Sequence, residues 1–108
     1  MIRKAFLMKL LPGQADAYQR RHNPIWPELQ KVLHDHGVHR YSIFLHADEQ
    51  TLFAYAEIES EGKWQAIASD PICQKWWLSM SPLMETHADH SPITETMMEV
   101  FCLQGSTT

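Results

Sequence analysis

The feature that most constrains this chain is the order in which two hydrophobic periods succeed one another. Residues 2–10, IRKAFLMKL, alternate with period two, placing Ile2, Phe6, Met8 and Leu10 on one side of an extended chain and Arg3, Ala5, Leu7 and Lys9 on the other. Pro12 and Gly13 end that predicted strand, and residues 15–22 are helix formers without a β-branched residue. Asn23-Pro24 should break or kink this helix, because Pro24 lacks an N–H and pushes Asn23 out of the helical region. Beyond it Ile25, Trp26, Leu29, Val32 and Leu33 recur at helical spacing up to Gly37, a residue suited to the C′ position. Period two then returns over residues 38–45, with His39, Tyr41, Ile43 and Leu45 on one face and Val38, Arg40, Ser42 and Phe44 on the other. The polar segment HADEQ makes a turn, and Leu52, Ala54, Ala56 and Ile58 alternate with Phe53, Tyr55, Glu57 and Glu59 in a third strand, hairpin-paired to the second. Ser60 is placed to cap a short helix carrying Trp64 and Ile67, and Asp70-Pro71 restarts it with a cap residue and a proline at N1. That helix carries Cys73, Trp76, Trp77, Met80 and Met84 before Pro82 and the polar HADHSP segment end it. Residues Met97 to Leu103 read as the last strand.

The order β-α-β-β-α-β is that of a ferredoxin-like α+β fold, an antiparallel four-stranded sheet with helices on one face. With 108 residues there is room for one domain, taken here as residues 1–104 with a short tail at 105–108. The helices leave the other sheet face uncovered, and its apolar residues predict a homodimer, packed sheet on sheet or closed as a barrel. A formal net charge of -4 is the wrong sign for tracking phosphates, so nucleic acid is not an expected partner. No apolar stretch approaches the ~18 residues that span a membrane, and the opening residues carry no secretory leader. Only Cys73 and Cys102 occur, without CxxC spacing, which fits reduced thiols and a cytoplasmic location.

Seven histidines and eleven aromatic residues supply the candidate chemistry. Tyr18 and His22 are four residues apart on the first helix, so they share a face and can reach one small ligand, just where Asn23-Pro24 interrupts the helix. The bland reading of that pair is a surface histidine beside a core-edge tyrosine. His34, Asp35, His36 and His39 invite a zinc site. The geometry opposes it, because His34 and His36 lie about 200° apart around a helix and His39 falls beyond Gly37. A solvated helix end, with histidines near its negative pole, accounts for them. His87 and His90, in an irregular segment with Asp89, are within chemical reason as ligands to a site or a metal, and read as exposed loop residues. Trp76 and Trp77 diverge by about 100°, so both cannot face one core, and one of them is free to act as a platform for a sugar's C–H face. GxGxxG, P-loop, HExxH and GxSxG patterns are all missing, which removes support for nucleotide or metal-hydrolase chemistry.

The runs YQRRHNPIWPEL from Tyr18, HGVHRYSIFL, and CQKWWLSM from Cys73 closely resemble the L-rhamnose mutarotase family, and the similarity extends from MIRKAF to the EVF at Glu99–Phe101. What the resemblance implies is a small cytoplasmic homodimer of the dimeric α+β barrel type. It would interconvert the α and β anomers of L-rhamnose by acid-base ring opening and closure, without cofactor or metal. It further implies that His22 is the proton-donating catalytic residue and that Tyr18, Tyr41, Trp76 and Trp77 contact the sugar. Cys102 and the tail LQGSTT depart from the family pattern and touch none of these positions. The chemistry suits a histidine, which titrates near neutrality and can give and retake a proton. Two other classes compete on the same fold: a cofactor-independent monooxygenase, and a metal-carrying or ligand-binding module that the missing CxxC disfavours.

Overall fold

In the computed structural model, which describes residues 1–105, β1 (Ile2–Lys9) pairs antiparallel along its whole length with β3 (Thr51–Ile58), from Ile2 opposite Ile58 to Lys9 opposite Thr51. β2 (Val38–Leu45) flanks β3, and the three-residue β4 (Glu95–Met97) flanks β1, giving the sheet order β2-β3-β1-β4. Four α-helices lie between these strands: α1 (Ala15–Arg21), α2 (Pro27–Asp35), α3 (Glu61–Ala66) and α4 (Pro71–Met80). Single 3-10 turns follow α3 at Ile67–Ser69 and α4 at Ser81–Leu83. This is the expected ferredoxin-like α+β arrangement.

Local chemistry sets the boundaries. Ser60 accepts from the Lys63 amide and Asp70 from the Ile72 amide, so both expected N-caps are made, with Pro71 at the start of α4. Gly37 follows α2 with φ +79°, the left-handed conformation a C′ glycine supplies. A Cβ there would stand 2.9 Å from the Glu59 Cβ, so the position excludes a side chain on two counts. In the hairpin turn Asp48 accepts from the amides of Gln50 and Thr51 and from the Thr51 hydroxyl, which holds its carboxyl below the usual carboxylate range.

Four expectations need correction. The second helix begins at Pro27 rather than Ile25: Asn23-Pro24 is cis, and Ile25 and Trp26 belong to the connection, with Pro27 at N1. α4 ends at Met80, and Met84 lies beyond it in an isolated bridge with Leu10. In β2 the strict alternation fails at a bulge between Val38 and Arg40, which sets Val38 opposite Ile58 and Tyr41 opposite Ala56. Val38 therefore shares the helix-covered face with Tyr41, and His39 is turned outward to Glu59, 3.1 Å away. Finally, the expected strand over Met97–Leu103 is almost wholly absent. β4 pairs Glu95, Thr96 and Met97 with Leu7, Phe6 and Ala5, then leaves the sheet. Val100 and Phe101 are adjacent apolar residues, which breaks period two, and Glu99 and Cys102 both turn to the Arg3 guanidinium.

The core lies between the sheet and its helices. Phe6, Met8, Leu52 and Ala54 meet Tyr18, Leu29, Trp76 and Met80, and a second cluster gathers Val38, Ala56, Ile58, Ile67 and Cys73. The other sheet face is open, and Phe44 is 63% exposed on it, with Phe53 also accessible. Part of the predicted tail 105–108 lies outside the described residues. No helix among the described residues is long and apolar enough to cross a membrane.

Candidate active site

α1 ends where its hydrogen bonding must stop, one residue ahead of Asn23-Pro24, and that ending places His22 at the C-cap. The imidazole folds back along the helix, with Nδ1 2.8 Å from the Tyr18 carbonyl oxygen. A carbonyl only accepts, so Nδ1 carries the proton and Nε2 is left free as a base. The Tyr18 and His22 rings lie 4.1 Å apart, as their one-turn spacing requires. Trp76 of α4 meets His22 edge-on at 5.0 Å, and Trp26 meets Trp76 in the same way at 5.1 Å.

Tyr18, His22 and Trp76 border a cavity of about 580 Å³ between the sheet and helices α1, α2 and α4. Its apolar walls include Met8, Leu10, Leu52 and Met80, and its polar groups are Tyr18, Gln19, His22, Asn23, Tyr41 and Cys73. No Asp, Glu, Lys or Arg lines it. Burial pushes the Tyr18 and Tyr41 phenols well above their ordinary range, Tyr41 further opposed by Tyr18 and Cys73, and pushes the Cys73 thiol up to about 12. His22 moves the other way: burial lowers it below its ordinary value, against a smaller opposite effect of its bond to the Tyr18 carbonyl. At neutral pH every one of these groups is uncharged. Neither tyrosine hydroxyl is bonded to another described residue, and among the described residues no buried side-chain polar atom lacks a partner, so both hydroxyls keep some access, on residues that line the cavity. Neutral donors around one neutral base suit a neutral polyhydroxy ligand better than an anion or a cation.

The structure brings together Tyr18, His22, Tyr41, Trp76 and Trp77, all five on this cavity. Trp76 and Trp77 diverge around α4, yet both reach it: Trp76 is buried against His22, and Trp77 is half-buried near Cys73 and Tyr41. The remaining histidines lie elsewhere. His36 Nδ1 donates to the Val32 carbonyl, His39 faces Glu59, and His87 and His90 belong to an exposed turn closed by Ser91. Among the described residues no three His, Cys, Asp or Glu side chains converge as metal ligands. Sequence reasoning missed Gln19, Asn23 and Cys73 as lining groups. Gln19 and Asn23 stand three before and one after His22, so a helical wheel drawn from the histidine could have found Gln19. Nothing short of the fold places Cys73.

The family model for L-rhamnose mutarotase matches residues 3–103. The chain belongs to the L-rhamnose mutarotase family. One relative, an L-rhamnose mutarotase from Pectobacterium carotovorum subsp. carotovorum, is 53% identical over 103 residues, covering 95% of this chain and 99% of its own length. The crystal structure of an L-rhamnose mutarotase from Formosa agariphila superposes with a TM-score of 0.88 at 39% identity, covering 96% of this chain and all of that one. A dimeric ferredoxin-like protein from an uncultured marine organism shares the fold, with a TM-score of 0.65 at 14% identity and coverage of 95% and 98%. Membership makes the chain an isomerase-type enzyme of the anomeric carbon.

Proposed function

We propose that the chain interconverts the α and β anomers of L-rhamnose, with His22 as the acid-base residue. The observation that carries this reading is a single free imidazole nitrogen in a cavity whose other lining groups are neutral donors, aromatic faces and apolar side chains. The anomeric O1–H and the ring oxygen O5 are bonded to the same carbon, so one nitrogen can serve both. Nε2 takes the O1 proton as the C1–O5 bond breaks and C1=O1 forms, and the imidazolium returns that proton to O5. The open-chain aldehyde turns about C1–C2, and the reverse sequence closes the ring from the other face. Atoms and electrons balance between the two anomers, so the step calls for no redox partner or co-reactant. Nδ1 keeps its proton throughout, bonded to the Tyr18 carbonyl, and so holds the ring's orientation.

Tyr18 and Tyr41 supply hydroxyls that fix the sugar's own, and both stay protonated because burial holds their ionisation far above neutrality. The Trp76 and Trp77 rings take the C–H faces and the methyl group of a 6-deoxy sugar. Two copies pairing through the open sheet face would cover Phe44 and Phe53. Cys73 and Cys102 are both unpaired, which is compatible with work in the reducing cytoplasm. Saturation-transfer NMR across a sugar panel tests the assignment: the protein should speed exchange between the L-rhamnose anomers, and a panel in which L-rhamnose exchanges only at its spontaneous rate would refute it.

A further inference from the structure

Arg21 immediately precedes His22, and its side chain leaves α1 altogether. Its Nη1 donates to the Ser79 carbonyl in the last turn of α4, where the helix runs out of amide partners and its dipole favours a cation. The Ser79 hydroxyl in turn donates to the Trp76 carbonyl at 2.8 Å. Among the described residues the Arg21 bond is the only hydrogen bond that joins α1 to α4. Behind Trp76 lies a shallow second cavity of about 360 Å³, bordered by Arg20, Arg21, Trp26, Ser79 and Met80. Trp76 and Met80 stand between the two spaces, with Trp26 edge-on against Trp76 at 5.1 Å and the Arg21 bond closing the helix end beside them.

We infer that Arg21 is a positioning residue for the anomer exchange: by tying the end of α1 to the end of α4 it seats the His22 ring against Trp76. The inference rests on the proposed role of His22. Two rings on different helices, 5.0 Å apart and at 85°, keep that relation only while the helix ends keep theirs. The main-chain bond to Tyr18 orients His22 with respect to α1 alone and says nothing of α4. Arg20 supplies a matched control, since it borders the same second cavity with the same charge and makes no bond to α4.

The experiment uses the full chain with labelled histidine, comparing the parent with Arg21→Met, Arg21→Lys and Arg20→Met. The readouts are anomer-exchange kinetics and the NMR shifts of the His22 ring protons, which the Trp76 ring current displaces. Arg21→Met should move those resonances and lower kcat about tenfold with little change in KM, less than the roughly 10²-fold of a full ångström's misplacement. Arg21→Lys keeps a donor and should restore most of both, and Arg20→Met should match the parent. Parental resonances and kcat in Arg21→Met, or equal losses in Arg21→Met and Arg20→Met, would overturn the inference. The ring shifts are read without turnover, so a parent that fails to exchange L-rhamnose anomers would refute the proposed function and leave the Arg21 contact separately tested.

Discussion

His22 is bonded to the backbone, not the side chain, of Tyr18: its Nδ1–H meets the Tyr18 carbonyl at 2.8 Å, and Tyr18 itself lines the cavity. One residue therefore fixes the imidazole's tautomer through its main chain and, in the proposed mechanism, offers a hydrogen bond to the sugar through its phenol. The two contributions separate by mutation.

Tyr18→Phe removes the hydroxyl and keeps both the ring against His22 and the carbonyl that holds Nδ1. The loss should be that of one hydrogen bond, roughly 0.5–1.5 kcal/mol, or about two- to twelvefold in kcat/KM. Steady-state exchange kinetics check it, with the acid-side inflection of the parent retained. A loss as large as that of a missing base would mean that the phenol itself moves the proton.

Burial holds His22 below the ordinary imidazole value of about 6.5, so its neutral, proton-accepting form predominates at neutral pH. The rate should accordingly stay level from pH 8 to below about 6.5, then fall as Nε2 becomes occupied. Anomer exchange measured against pH gives the inflection directly, and a midpoint above 7 would contradict a buried, desolvated base.

Gly37→Ala should destabilise the fold and spare the chemistry. The position has φ +79° and an added Cβ would meet the Glu59 Cβ at 2.9 Å, a strain of about 1–3 kcal/mol for the backbone conformation alone. The denaturation midpoint should drop, with the exchange rate per folded molecule unchanged because Gly37 does not line the cavity.

Phe44 is exposed on the open sheet face, and covering that face is the reason to expect a pair of chains. Sedimentation of the parent at micromolar concentration should show a dimer, and Phe44→Glu should shift it toward monomer. A monomeric parent would remove the interface.

Much of this was legible in the sequence because two periods carry most of the fold. Strict alternation in β3 leaves no choice of face, and its buried Leu52, Ala54, Ala56 and Ile58 fall as the pattern says. The same rule misplaces Val38, because a bulge is decided by pairing with β3 and adds one residue that no single-strand pattern reveals. The segment Met97–Leu103 reads as a strand, yet from Met98 onward its side chains are exposed once the chain leaves β1. Tyr18 and His22 were found by helical spacing, a local property. The meeting of His22 with Trp76 joins elements more than fifty residues apart, and only packing of α1 beside α4 brings it about. Asn23-Pro24 signalled the break that ends α1, though not the start of α2 at Pro27, where N-terminal proline preference outweighs the apolar Ile25 and Trp26.

The most direct test of the account is anomer exchange of L-rhamnose by His22→Ala, measured by saturation-transfer NMR beside a circular-dichroism spectrum to show that the variant folds. The account predicts a parental spectrum and an exchange rate lower by about 10²- to 10⁴-fold, the usual worth of a lost general acid-base group, with the pH inflection gone. A folded His22→Ala protein that exchanges L-rhamnose anomers at the parent rate would contradict it.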